Sequence, residues 1–558
     1  MKKVIIIGGI AAGTKVGTKL KRLQPDWEVT IIDKNEIIAF GGCGMPYYIG
    51  GKVKREELYK TQAGFIRDPI FFKEIKGVNV LNKTEALKID REKKEVKIKD
   101  LRNNEIRTLS YDYLVLATGS KPFIPNIEGN NLKNVFTLHN LSDADIIKEM
   151  AESEKAVIIG GGLIGLEITE NLIEKNEMIE VSIIEMLPEI IPFLDPDMAF
   201  LVRKFCESQG VNIYTSEKIV KLVGDENGKV KSVITENNEF DADFVIMATG
   251  FKPNVDLAKE CGIELGITGA IKVNERMQTN DPFIYAVGDC IEVTNLITGS
   301  KVYVPSGSTA NKQGRVAAIN IAGFDETYPG VVQSVIFKIF EYNVAKTGLS
   351  SKEALSLGYD IESVLCPGMD KPHYYPGHKI VQTKLIVDKK TGKLLGAQFV
   401  GMGDVTKSVN VASTVLHFNG LLKDISNFDL AYSPPYSSAI DNICTAANVL
   451  INKLEGRFQG ITSIQAKEKI GNDSILFIDV REPSERRNGF IEGSILIPLG
   501  ELRKRISEIP TNKEEIIVFC QLGLRSYEAA IILKSHGFKN VKVLEGGIHS
   551  WMFELKRR

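Results

Sequence analysis

Two cysteines in this chain stand where the surrounding residue types allow sulfur chemistry. Cys43 lies in the run Ala39-Phe-Gly-Gly-Cys-Gly-Met-Pro-Tyr-Tyr48, with glycine on either side. A thiolate in such a loop can attack a disulfide, a persulfide or a peroxide. No second cysteine lies four or five residues away, so the sulfur that pairs with Cys43 has to come from a substrate. Cys520 follows the apolar run Ile516–Phe519 and opens Cys520-Gln-Leu-Gly-Leu-Arg-Ser526, which leads into a helical pattern. Backbone N–H groups and a helix N-terminus at that point favour a thiolate or a persulfide. The other cysteines, at 206, 261, 290, 366 and 444, are scattered. With no CxxC pair, and six histidines that do not cluster, the sequence predicts free thiols in a reducing compartment and no metal site.

The elements that must position Cys43 are legible in an internal repeat. Val4-Ile-Ile-Ile-Gly8-Gly9-Ile-Ala-Ala-Gly13 is matched by Val157-Ile-Ile-Gly160-Gly-Gly162-Leu-Ile-Gly165; each is an apolar strand, a glycine turn and a helical pattern. Each then reaches a second apolar strand ending in an acid, Asp33 and Glu185, which lie 25 residues after Gly8 and Gly160 respectively. Bare backbone in the turn lets a pyrophosphate approach the helix N-terminus, and the acid accepts hydrogen bonds from ribose hydroxyls. Two copies in register predict two dinucleotide-binding folds, although Ile10 stands where the first copy would have its second glycine. A further pair of buried strands ends in Ala117-Thr118-Gly119 and Ala248-Thr-Gly250, and a later strand delivers Gly288 and Asp289 to a turn where a carboxylate can hold a sugar-alcohol hydroxyl.

At 558 residues the chain is too long for one core, and three or four domains are expected. Lys+Arg 70 against Asp+Glu 71 leaves a net charge of -1, which offers no electrostatic basis for binding nucleic acid or an anionic membrane. The N-terminal Met-Lys-Lys-Val-Ile-Ile-Ile reads as a buried strand entering a turn rather than a signal peptide, because the apolar run stops at Gly8 with no cleavage pattern after it. No apolar stretch approaches the length needed to span a bilayer. These features predict a cytoplasmic protein.

Up to about residue 450 the chain resembles the pyridine nucleotide-disulfide oxidoreductases. Within them it is most similar to the single-cysteine branch of coenzyme A-disulfide reductases, NADH peroxidases and water-forming NADH oxidases. Residues 461–558 resemble a rhodanese domain, on the runs Phe477-Ile-Asp-Val-Arg-Glu-Pro483, Gly489–Pro498 and Cys520–Ser526. The resemblance implies an α/β chain with two Rossmann-like domains, the second inserted in the first. FAD binding falls to 1–115 with 255–325, NAD(H) binding to 116–254, an α+β interface domain to 326–450, and a rhodanese-like α/β domain to 461–558. It assigns Gly8, Gly9, Gly13, Asp33, Lys34, Ala117, Thr118, Gly119, Gly288, Asp289 and Ala310 to FAD, and Gly160, Gly162, Gly165, Glu185 and Gly250 to NADH. Cys43 becomes the redox thiol, Tyr374 and Tyr432 the proton donors from the partner subunit of a homodimer, and Cys520 with Arg525 the sulfur-transfer site. The loop of four residues between Cys520 and Arg525 is one shorter than related phosphatases use, which favours sulfur over phosphate.

Within the branch, the oxidases and peroxidases carry a histidine where this chain has Ile10, and coenzyme A users tend to carry other residues at Ala39, Gly42 and Ile440. Arg22 matches a family arginine facing nucleotide phosphates, with Lys19 and Lys15 on the same helical face and Gly42 beside the thiol. The resemblance therefore implies NADH-driven reduction of a disulfide, persulfide or polysulfide, with coenzyme A a possible substrate or bound thiol. The alternatives are an NADH oxidase or peroxidase, or a sulfur-carrier or sensor protein with a structural flavin half.

Overall fold

The computed structural model describes residues 1–557, which form two compact units. The first comprises Met1–Pro188 and Val211–Val331. Its first sheet is wholly parallel, in spatial order Ile284–Ala286, Tyr113–Leu116, Lys3–Ile7, Glu28–Ile32, Asn79–Leu81. These strands are continuous apolar runs, as a parallel sheet buried on both faces requires. The helices Ala12–Leu23 and Gly307–Ile321 pack against each other so closely that the Ala12 carbonyl oxygen lies 2.7 Å from where a Cβ on Gly314 would stand.

Between Tyr113–Leu116 and Ile284–Ala286 the chain builds a second parallel sheet, in order Asn212–Tyr214, Glu180–Ile184, Lys155–Ile159, Phe244–Met247, Val135–Phe136. One nucleotide-type fold is thus spliced into the other, as the order of the motifs implied. The chain passes between them twice, just after each Ala-Thr-Gly, and the two crossings pair as an antiparallel ribbon of Ser120–Pro122 with Phe251–Pro253.

The second unit comprises Glu189–Gly210 and the chain from Val332 onward. Its five-stranded antiparallel sheet runs Val335–Ile339, Tyr342–Gly348, Leu394–Gly401, Ile380–Asp388, Ile361–Met369. Residues 189–210 fall inside the span expected for NAD(H) binding, yet they cluster here for a physical reason. Lys384 is buried between Asp195 and Asp197, 2.8 and 2.7 Å away. Burial pushes the Asp195 carboxyl up, but Lys384 and the bonds from Ser351 outweigh it and hold the group below its usual value. Phe205, on helix Pro196–Ser208, stacks on Tyr342 with ring centroids 4.0 Å apart. Removing one member of so buried a charge cluster would strand the others, so the helix is fixed to this sheet.

The C-terminal part of this unit is a parallel sheet in order Gln459–Ile461, Val541–Leu544, Glu515–Phe519, Ile475–Asp479, Ile495–Leu496, with its own core of Phe477, Phe519, Leu544 and Trp551. The polar stretch 452–460 is not a free tether. Helix Asn442–Leu454 runs into it, and Lys453 bonds Glu545 at 2.6 Å and Glu362 at 2.9 Å. Glu545 also accepts from the Leu365 N–H at 3.3 Å, so the parallel sheet is clamped to the antiparallel one. Among the described residues, no helix is long and apolar enough to cross a membrane, and no cluster of potential metal ligands occurs.

Candidate active site

The two glycine turns are built alike. Gly8 adopts φ +111° and has the Ala117 carbonyl oxygen 2.0 Å from where a Cβ would lie; Gly160 repeats this at φ +107°, with the Ala248 oxygen at 2.6 Å. Only glycine fits either position. The acids close the turns from the neighbouring strand: Gly9 N–H donates to Asp33 Oδ2 at 2.7 Å and Gly161 N–H to Glu185 Oε2 at 2.8 Å. Gly13 and Gly165 sit on the following helices against the carbonyls of Gly8 and Gly160, and the space where Gly162 would carry a Cβ is open. That opening leaves the N-terminus of helix Leu163–Lys175 accessible to a phosphate.

The other predicted nucleotide residues gather round the same turns. Thr118 Oγ1 donates to the Asn254 oxygen at 2.6 Å, Asn254 N–H to the Gly119 oxygen at 2.9 Å, and Phe123 N–H to the Gly250 oxygen at 2.9 Å. Gly288 N–H donates to Gln313 Oε1 at 2.8 Å, and Asp289 Oδ1 accepts from Ser306 N–H at 3.0 Å. Ala310 is buried beside Gly288, and Lys34 is exposed next to Asp33. Desolvation pushes the half-buried Asp289 carboxyl above its usual value, against the bond from Ser306 N–H.

Cys43 is held by the first turn. Ala39 N–H donates to the Gly9 oxygen at 2.8 Å, and Ala39 itself adopts the left-handed φ of 54° that swings the chain back over the turn. The thiol sits in a 3-10 turn, Gly42–Gly44, followed by helix Met45–Ile49, and its residue is exposed. Partial burial of the sulfur pushes the Cys43 thiol above its ordinary value, with the charges of Glu167 and then Asp289 adding to the effect.

Sequence reasoning missed Glu167. It follows the second glycine fingerprint on helix Leu163–Lys175, and burial together with nearby Glu170 pushes it up to about 7. Its position two residues after Gly165 was the available signal, but a glutamate on a helix reads as a solvated one until its neighbours are known.

Lys15, Lys19 and Arg22 lie along helix Ala12–Leu23, and none has an ionic partner among the described residues. Gly42 leaves room at the thiol, with only a Phe40 ring carbon 3.9 Å from its Cβ position. Tyr374 and Tyr432 are both exposed in the second unit, and their hydroxyls are 3.4 Å apart. The bond to Tyr432 raises the Tyr374 phenol, so its proton is held more tightly than in a lone tyrosine.

Cys520 caps strand Glu515–Phe519 and is buried. Its sulfur accepts from the Gly523 N–H at 3.1 Å and lies 3.5 Å from Ser526 Oγ, just before helix Leu524–Ser535. Arg525 reaches the same loop but is bonded to Glu485 through both terminal nitrogens, each at 2.7 Å. The predicted pairing of Cys520 with Arg525 thus includes a third member that the sequence did not disclose.

Comparison with known proteins agrees with this geometry. Residues 2–314 match the family described as pyridine nucleotide-disulphide oxidoreductase, 332–444 its dimerisation domain, and 462–554 a rhodanese-like domain. A solved NAD-dependent persulfide reductase from A. fulgidus is 43% identical, with a TM-score of 0.94 over 98% of this chain and 100% of that one. The NAD(P)H coenzyme A polysulfide/persulfide reductase of Pyrococcus horikoshii is 36% identical over 80% of this chain and 98% of its own length. An NADH oxidase of Methanocaldococcus jannaschii is 36% identical over 82% of this chain and 100% of its own length.

Proposed function

Because this chain belongs to the pyridine nucleotide-disulphide oxidoreductase family, we propose that it uses NADH to reduce small disulfides, persulfides or polysulfides through Cys43, and that Cys520 carries sulfane sulfur. The observation that carries the reading is the exposed Cys43 set beside the first nucleotide turn by the Ala39 N–H bond to the Gly9 oxygen. The family's cofactors fit the two cradles: Gly8, Gly9, Gly13, Asp33 and Asp289 suit FAD, and Gly160, Gly162, Gly165 and Glu185 suit NADH. Bound FAD supplies the two-electron relay between NADH and sulfur.

The chain's own residues do the rest. Cys43 Sγ attacks one sulfur of the substrate's S–S bond; that bond breaks as a Cys43–substrate S–S bond forms, the departing thiolate leaves, and the two electrons from NADH would then reduce the mixed disulfide to release the second thiol and restore Cys43. Tyr374 and Tyr432, contributed across a homodimer, donate the proton that this thiolate takes up. Ionised Glu167 opposes a thiolate at Cys43, so protonation of Glu167 favours it. Lys15, Lys19 and Arg22 suit a thiol carrier bearing phosphates, of which coenzyme A is one.

Glu185 sets the nucleotide. Its Oε1 accepts from Leu187 N–H at 2.9 Å and its Oε2 from Gly161 N–H at 2.8 Å, so the carboxylate is fixed at the strand end where the adenosine ribose arrives. Met186, Leu187 and Pro188 offer no cation to a 2′-phosphate. The clash costs about 1–3 kcal/mol, and NADH should exceed NADPH in kcat/KM by about ten- to a hundredfold. Equal constants for the two would remove this role from Glu185.

Anaerobic NADH titration against coenzyme A disulfide, coenzyme A persulfide and polysulfide, with flavin absorbance and released sulfide or thiol as readouts, tests the function. At least one sulfur acceptor should turn over ~10-fold faster than oxygen does in air, since Ile10 brings no titratable side chain to the first turn. Oxygen as the best acceptor would place the protein with the oxidases.

A further inference from the structure

The loop that carries sulfur holds one cation, and that cation is already engaged. Arg525 is the only charged residue between Cys520 and Ser526. Its charge is coupled to that of Cys520, but both terminal nitrogens donate to Glu485 in a two-bond fork at 2.7 Å each. Such a fork is among the strongest geometries arginine makes with a carboxylate. Arg525 holds the Glu485 carboxyl down at about 2, so the pair stays ionised at any physiological pH. Glu485 is also fixed from behind: it lies on the short helix Pro483–Arg486, where its Oε2 accepts from the Glu482 N–H at 3.0 Å.

Two neighbouring arginines are committed elsewhere, whereas Lys204, whose charge is felt at His549, has no ionic partner among the described residues. Arg481 and Arg486 both bind Asp479, at 2.8 and 3.3 Å. His549, whose backbone N–H reaches the Gln521 oxygen at 3.1 Å, is held below its ordinary value by burial and by Lys204, and is neutral at pH 7. On the solvent side the loop presents Leu524, 72% exposed. The loop therefore presents an exposed leucine, and the one cation it carries is paired with Glu485.

Sulfur donors differ in what they ask of such a mouth. Thiosulfate is a dianion and releases sulfite, a second oxyanion, so its transfer gains from an unpaired cation at the loop. A thiol persulfide releases only a thiol. We propose that Glu485 selects the sulfur donor of the Cys520 site, withholding Arg525 from oxyanionic donors such as thiosulfate and leaving a site that takes sulfane sulfur from thiol persulfides. The step is Cys520–SH + R–S–SH → Cys520–S–SH + R–SH. Cys520 sulfur attacks the outer sulfur, the R–S to outer-sulfur bond breaks, and the proton goes to the departing thiolate, with no external oxidant or reductant.

This deepens the reading of Cys520 as a sulfur carrier and rests on it. The test uses the full-length, FAD-loaded enzyme, with cyanide as acceptor and thiocyanate as product, comparing glutathione persulfide with thiosulfate. The native enzyme should favour the persulfide by at least about a hundredfold in kcat/KM. Glu485→Gln keeps the acceptor for Glu482 N–H but loses the charge, and should raise the thiosulfate-to-persulfide ratio about tenfold. Glu485→Asp should move the ratio the same way by less, and Arg525→Ala placed on Glu485→Gln should cancel the gain. A ratio unmoved in both Glu485 variants, a gain that survives loss of Arg525, or a native enzyme that uses thiosulfate as well as persulfide would overturn the proposal alone. No thiocyanate from either donor in the native enzyme would instead overturn the carrier reading of Cys520, and this proposal with it.

Discussion

Cys43→Ser is expected to yield a folded protein that retains FAD and is still reduced by NADH, but whose turnover of every sulfur acceptor falls by about a thousandfold or more. Cys43 is an exposed residue and not part of a hydrophobic core, so its exchange leaves the packing intact. The residues proposed to shape the flavin cradle, Gly8, Asp33, Gly288 and Asp289, are anchored by bonds in which the Cys43 side chain takes no part. A serine hydroxyl forms no S–S bond and ionises far too weakly at neutral pH to replace a thiolate, so the loss is that of the nucleophile itself. Stopped-flow reduction by NADH followed by steady-state turnover with coenzyme A disulfide and polysulfide separates the two half-reactions. Acceptor turnover surviving in the purified variant would mean that electrons leave the flavin without Cys43.

Much of the fold was readable because it depends on backbone geometry that few residues tolerate. Gly8 and Gly160 take a left-handed φ against a facing carbonyl, and Asp33 and Glu185 must reach back to the adjacent turn, so residue type and spacing are tightly constrained. The thiol loop announced itself in the same way, through glycines on both sides of Cys43. The unread features are contacts between residues far apart in the chain, each of which looks ordinary alone. Lys384 is a lysine in an alternating strand until Asp195 and Asp197 arrive from a helix almost 190 residues earlier. Lys453 lies in what reads as a polar linker, and only the fold supplies Glu545 and Glu362. Glu167 and Glu485 are surface-type carboxylates in sequence; one becomes a near-neutral proton holder and the other the fixed partner of Arg525.

The same separation of elements governs the second large effect, that of Cys520→Ser. Thiocyanate formation from a persulfide should fall below detection, a loss of about a thousandfold or more, while NADH-driven reduction of coenzyme A disulfide stays within about twofold of native. Serine fills nearly the same buried space and can keep the bond from the Gly523 N–H, so the loop and its helix should hold their shape. The sheet that carries Cys520 has its own core, and its attachment through Lys453 and Glu545 does not involve the Cys520 side chain. Cys43 meanwhile is set by Ala39 and the first glycine turn, in the other unit. A soluble disulfide needs only the Cys43 chemistry, whereas a carried sulfane sulfur needs a thiol that can form Cys520–S–SH. If disulfide reduction collapsed together with sulfur transfer in a folded, FAD-loaded variant, the two thiols would be acting as one site rather than as two in series.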